Sequence, residues 1–80
     1  MLEDEFIVKI DKEIGNIISE IEETKNVDYA VMLVYRVSGM MNTYSLYFEC
    51  YENKENYLDV MENIRLWTER INKALSKKYN

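Results

Sequence analysis

From Ile7 onward the apolar residues fall at 7, 10, 14, 17 and 21, the alternating three- and four-residue spacing of one helix face. Phe6 and Ile18 widen that stripe to about 120°, which suits a core-facing helix better than a narrow coiled-coil seam. Glu5, Lys9, Lys12, Asn16, Ser19 and Glu23 occupy the other side. Glu3, Asp4 and Glu5 cluster at the N-terminal end, where acids favour the helix dipole. The pattern predicts a helix over about 4–25, with Asn26 as a left-handed stop. Gly15 falls on the solvent side of the stripe, where it costs up to ~1 kcal/mol relative to Ala and marks either a weak point or a local close approach.

Two runs rich in Val, Tyr, Leu and Phe follow, 27–37 and 40–51, separated by Ser38 and Gly39. β-Propensity and a two-residue turn together predict an antiparallel hairpin. Its register pairs Val27 with Cys50, Tyr29 with Phe48, Val31 with Leu46, Leu33 with Tyr44 and Tyr35 with Asn42, a nearly all-apolar face. The second face pairs Asp28 with Glu49, Ala30 with Tyr47, Met32 with Ser45, Val34 with Thr43 and Arg36 with Met41.

A second helix is predicted over about 54–78, capped by Asn53, or by Asn56 with Asp59 three residues on. Its stripe is Tyr57, Val60, Met61, Ile64, Trp67, Ile71, Ala74, Leu75 and Tyr79, with Leu58 and Leu66 outside it. Lys73, Lys77 and Lys78 in the last turns match the helix dipole, and Glu69 with Lys73 forms a favourable i, i+4 pair. The expected fold class is therefore α+β, a single α-β-β-α domain over 1–80.

Composition narrows the function. Eighty residues hold one core, which buries roughly 60% of the unfolded surface and leaves stability marginal. Hydrophobic content of 48%, no proline and two glycines indicate an ordered chain. Cys50 is the one cysteine, so no intrachain disulfide forms and a reducing compartment is expected. Its thiol reads as a small buried hydrophobe, with an intermolecular disulfide or reactive thiol as the alternatives. The opening MLEDEFIVKI is acidic, and the longest apolar run, Tyr29 to Tyr35, is seven residues against the ~20 that span a bilayer. A soluble, cytoplasmic protein with no membrane partner is expected.

The net charge of −5 is uneven: eight acids oppose two lysines over 1–23, whereas four acids oppose six cations over 54–80. With no histidine and one cysteine, neither a histidine-paired nucleophile nor a zinc site can be assembled. Gly15 and Gly39 are too few for a phosphate-cradling loop. No catalytic, cofactor-binding or metal-ligating residue is expected, and the protein reads as a non-enzyme. Direct nucleic-acid binding is disfavoured, because Arg36 is the one cation near Tyr47 and Tyr51 and the surrounding acids repel phosphate.

Binding to protein remains. The second hairpin face is half apolar, and no lysine lies between Asn26 and Asn53, the composition of a covered surface. That face is covered by a helix, by a second copy or by another protein. Met32, Val34, Arg36, Met41 and Tyr47, joined by Leu58 and Leu66, are the expected partner-binding residues. Glu20, Glu22, Glu23, Asp28 and Glu49 form the expected acidic surface; Asp28 and Glu49 are either splayed and solvated at the open end of the hairpin or, with Glu52, receive a cation from a partner or from the C-terminal helix. The leading expectation is a homodimer acting as a small acidic inhibitor or modulator of another macromolecule. The row Glu5, Asp11, Glu13, Glu20, Glu22 and Glu23 would imitate phosphates before a basic nucleic-acid enzyme. Size, acidity and lack of catalytic groups are shared with inhibitors encoded by phages and mobile elements, and equally with adaptor modules. The alternatives are a structural or regulatory dimerisation module and a nucleic-acid-associated regulator.

Overall fold

The computed structural model describes the backbone of residues 2–50 and 54–79, and the side chains of 5–49 and 58–79. Three helices run α1 (Leu2–Glu23), α2 (Val27–Cys50) and α3 (Lys54–Tyr79). Tyr29, early in α2, bonds Glu20, late in α1, while Phe6 stacks on Tyr47. Those two helices are therefore antiparallel. Arg70 and Lys78 of α3 reach Glu22 and Thr24, and Tyr44 of α2 meets Trp67 of α3. The result is an up-down-up bundle measuring 41 × 20 × 14 Å. Its long axis matches the roughly 39 Å of a 26-residue helix rising 1.5 Å per residue.

The first and last helices stand where the periodicity predicts them. Ile10, Ile14, Ile17, Ile18 and Ile21 of α1 and Val60, Trp67, Ile71 and Ala74 of α3 are buried. Ile7, Ile64 and Leu75 pack partly against them, whereas Phe6, Met61 and Tyr79 are exposed. The expected cap at Asn53 and the roles given to Tyr51 and Glu52 lie outside the described residues, as do the side chains of Cys50, Asn56 and Tyr57; Asn56 falls inside α3, which already runs from Lys54, and so is not its cap.

The hairpin is overturned, and with it the α-β-β-α class. Among the described residues there is no strand; 27–50 is one helix, and the molecule is a helical bundle. The local cause begins at Asn26, which caps α2 instead of stopping α1. Its side-chain oxygen accepts the Tyr29 N–H at 3.0 Å, and its carbonyl accepts the Ala30 N–H at 3.0 Å. Asp28 adds an acid to the first turn. Ser38 and Gly39 do not turn the chain; the Thr43 hydroxyl donates to the Gly39 carbonyl at 3.1 Å, one helical turn back.

The tertiary cause is packing. Ala30, Leu33, Val37 and Tyr44 are buried, and Val34, Met40, Met41 and Phe48 pack against them, a spacing of three and four. Two amphipathic helices with broad stripes require a third apolar surface. A helix supplies it with every interior backbone group bonded internally, while a two-stranded ribbon leaves both edges open. β-Propensity spans only ~1 kcal/mol, so packing of this extent overrides it. Trp67, Tyr44, Phe48, Tyr47 and Phe6 form a chain of ring contacts 5.0–5.5 Å apart that ties the three helices at one end.

Candidate functional site

Helix α2 is the least charged element of the molecule. Asp28, Arg36 and Glu49 are its charged residues, so 37–48 runs for twelve residues without one. Over its whole circumference this segment therefore lacks the feature that normally marks a solvent face. On the side away from α1 and α3, Asp28, Met32, Tyr35, Gly39, Asn42, Leu46 and Glu49 are all exposed. Steps of four and three place them in one stripe. Tyr35 is 77% exposed, Leu46 56% and Met32 55%.

The stripe has an internal symmetry. Met32 and Leu46 each stand seven residues from Gly39, which is two turns, or roughly 10.5 Å along the axis. No atom lies within 4 Å of where a Gly39 side chain would begin. The backbone is therefore bare at the midpoint, with a large apolar side chain two turns to either side.

The outer faces of the neighbouring helices are different. Glu5, Lys9, Lys12, Asn16 and Glu23 line that of α1, and Asp59, Glu62, Arg65, Glu69 and Asn72 that of α3. Arg65 pairs with both Glu62 and Glu69 at 2.6 Å. Charged side chains dominate these two faces, with Val8 on α1 and Leu58 and Leu66 on α3 exposed among them.

The expected partner-binding set is not one surface. Met32 and Arg36 share the exposed side of α2, whereas Val34 and Met41 turn partly into the core. Tyr47 is half-buried, stacked on Phe6 at 5.0 Å. Leu58 and Leu66 are exposed on α3, apart from that stripe. Tyr35 and Leu46, assigned inward by the hairpin register, are the exposed apolar residues that the sequence reading missed. The seven-residue interval linking Met32, Gly39 and Leu46 was the signal available for them.

The acids are also dispersed. Asp28 and Glu49 do not face each other; they sit near opposite ends of α2, roughly 31 Å apart at 1.5 Å per residue. On α1, Glu20 points toward α2 and accepts the Tyr29 hydroxyl at 2.8 Å. That bond, foremost, raises the Tyr29 hydroxyl above its ordinary pKa. Glu22 points toward α3, where Arg70 holds it in a two-point bond of 2.7 and 3.2 Å. The guanidinium keeps the Glu22 carboxyl below the ordinary carboxylate range. Glu23 faces outward. Six acids at steps of 100° thus point in several directions, two of them already engaged, and no phosphate-like row exists along α1.

Burial raises the Tyr44 hydroxyl, an effect partly opposed by the Asn63 side-chain amide donating to it at 3.3 Å. No described buried side-chain polar atom lacks a hydrogen-bond partner. Among the described residues no three Cys, Asp or Glu converge as a metal site, and no helix is long and apolar enough to cross a membrane. Comparison with known protein families, with curated proteins and with solved structures found no match to this chain.

Proposed function

We propose that this protein is a non-enzymatic protein-binding module that acts as a homodimer through the outward face of α2. The observation that carries the reading is the uncharged run 37–48 with Met32, Tyr35 and Leu46 exposed about a bare Gly39. Tyr, Met and Arg are enriched at protein interfaces, and Lys, Asp and Glu are depleted. The stripe is also self-complementary. A two-fold axis at Gly39 sets Met32 against the partner's Leu46 and Tyr35 against the partner's Asn42, and the missing side chain lets the two helices cross closely. A single cysteine suits a cytoplasmic setting for such a dimer.

The version in which α1 inhibits a nucleic-acid enzyme by imitating phosphate has less support, because its acids do not share a face. A dimerisation module, through which any second protein would be engaged, fits the surfaces better.

Light scattering across a hundredfold dilution tests the reading. The mass is expected to rise from 9.6 kDa toward twice that value with concentration. Met32→Lys and Leu46→Lys, both at exposed positions, are expected to keep the helical signal and remain monomeric throughout. In the antiparallel pairing Asp28 approaches the partner's Glu49, so added salt is expected to strengthen the dimer by screening that repulsion. A wild-type chain that stays monomeric at every concentration overturns the proposal.

A further inference from the structure

An open cavity of about 250 Å³ lies between the C-terminal ends of α1 and α3, lined by Glu22, Arg70, Lys73, Ala74, Lys77 and Lys78. Four cations thus surround one acid, in a molecule whose net charge is −5. Two of the four are fixed by bonds within the fold. Arg70 is held on Glu22 through Nε and an Nη. Lys78 Nζ donates to the backbone carbonyls of Glu22 and Thr24. Such bonds at a helix C-terminus account for Lys78 through capping and the dipole.

Lys73 and Lys77 are left over. Neither makes a hydrogen bond or ion pair among the described residues. The expected Glu69–Lys73 pair is replaced by Arg65–Glu69 at 2.6 Å. Glu22 is paired chiefly with Arg70 and also feels the charge of Lys77, yet four cations to one acid leave a net of three positive charges around the concavity, two of them on ammonium groups that make no hydrogen bond among the described residues and stand one helical turn apart.

We propose that this cavity binds a small phosphate-bearing anion. Lys73 and Lys77 supply the free donors, and Arg70 and Lys78 form a wall already held in place. Ammonium groups bind phosphate as point charges, without the planar fit that a carboxylate receives from arginine. The volume lies below the roughly 300–1,000 Å³ of sites that enclose drug-sized ligands. It suits a phosphate or diphosphate group rather than an entire nucleotide. An extended nucleic acid fits less well, since binding its backbone calls for a basic track longer than this cavity. No residue of α2 lines this cavity, so it is separate from the proposed dimer face.

The test is titration of the isotopically labelled full chain with inorganic pyrophosphate, followed by amide chemical shifts. Saturable changes confined to residues 22–24 and 70–78 are expected. Charge-assisted bonds of this kind predict a loss of affinity of about tenfold or more in Lys73→Gln/Lys77→Gln. The same exchange in Lys9→Gln/Lys12→Gln, on the outer face of α1, is expected to leave affinity unchanged. Both lysine pairs are exposed, and circular dichroism checks that each variant is folded. The shift map of the unmodified chain locates the site without any variant. Failure to saturate, shifts elsewhere, or equal affinity in the Lys73/Lys77 variant overturns the proposal. Tighter binding of a single-stranded oligonucleotide lacking terminal phosphates would also overturn it, by assigning the cavity to a nucleic-acid backbone.

Discussion

Gly39 shows how one residue type supports two opposite readings. Between two β-branched and aromatic runs, Ser38-Gly39 marks a hairpin turn; inside a helix, the same glycine is a weak position with a bare backbone. With open space around its missing side chain, Gly39→Ala is expected to stabilise the fold by about 0.5–1 kcal/mol. Urea unfolding at concentrations where the chain is monomeric measures this directly. A turn glycine with positive φ would give the opposite sign. The same substitution places a methyl group at the proposed helix crossing, so the dimer is expected to weaken while the monomer gains stability. Asn26 is similarly double-edged, since asparagine both ends helices in left-handed conformations and begins them as a cap. The bonds from Tyr29 and Ala30 decide for the cap.

At the level of elements, α1 and α3 were legible because polar residues mark their solvent sides. One period alone fits such a pattern, and the buried isoleucines of α1 occupy the expected positions. In α2 the polar markers are missing. Tyr29 to Tyr35 is apolar throughout, so a spacing of two and a spacing of three and four are both satisfied. The choice falls to the cap and to the packing partners. Asn26→Ala is accordingly expected to lower stability by about 1 kcal/mol, with Asn26→Asp retaining most of it. Thermal unfolding of the two variants, followed by helical signal, compares them. The exposed stripe of Met32, Tyr35 and Leu46 was hidden for the same reason: a wrong period sends alternate side chains to the wrong side.

Across the whole molecule, three helices share one apolar core with no buried polar or charged residue among those described. Polar bonds instead join the helices at the surface, and Glu22–Arg70 links α1 to α3 at one end. The folded-state pKa of Glu22 is lowered, chiefly by the Arg70 hydrogen bond. Its stabilising contribution is therefore complete above the unfolded value near 4.5 and is lost as pH falls through the folded value. Both side chains are about 40% exposed, which limits the effect to roughly 0.2–1 kcal/mol. Denaturant unfolding between pH 6 and pH 3 is expected to show less acid sensitivity in Glu22→Gln than in the wild type. Some sensitivity remains, because Arg65 lowers Glu62 in the same direction. The Arg70–Glu22 bond also shapes the proposed anion cavity, a feature invisible in the chain because its two sides are 48 residues apart.

Sequence alone determined the two amphipathic helices and the apolar stripes they bring to one core. Each follows from residue identity or from a hydrophobic stripe with a polar counterpart. Tertiary structure decided the middle of the chain, the surface it presents and the placing of Glu22 of α1 beside the cations of α3. An apolar segment without polar markers is compatible with either backbone period. It becomes a helix here because α1 and α3 offer broad apolar stripes, which a third helix covers while satisfying its own backbone bonds and leaving no open edge.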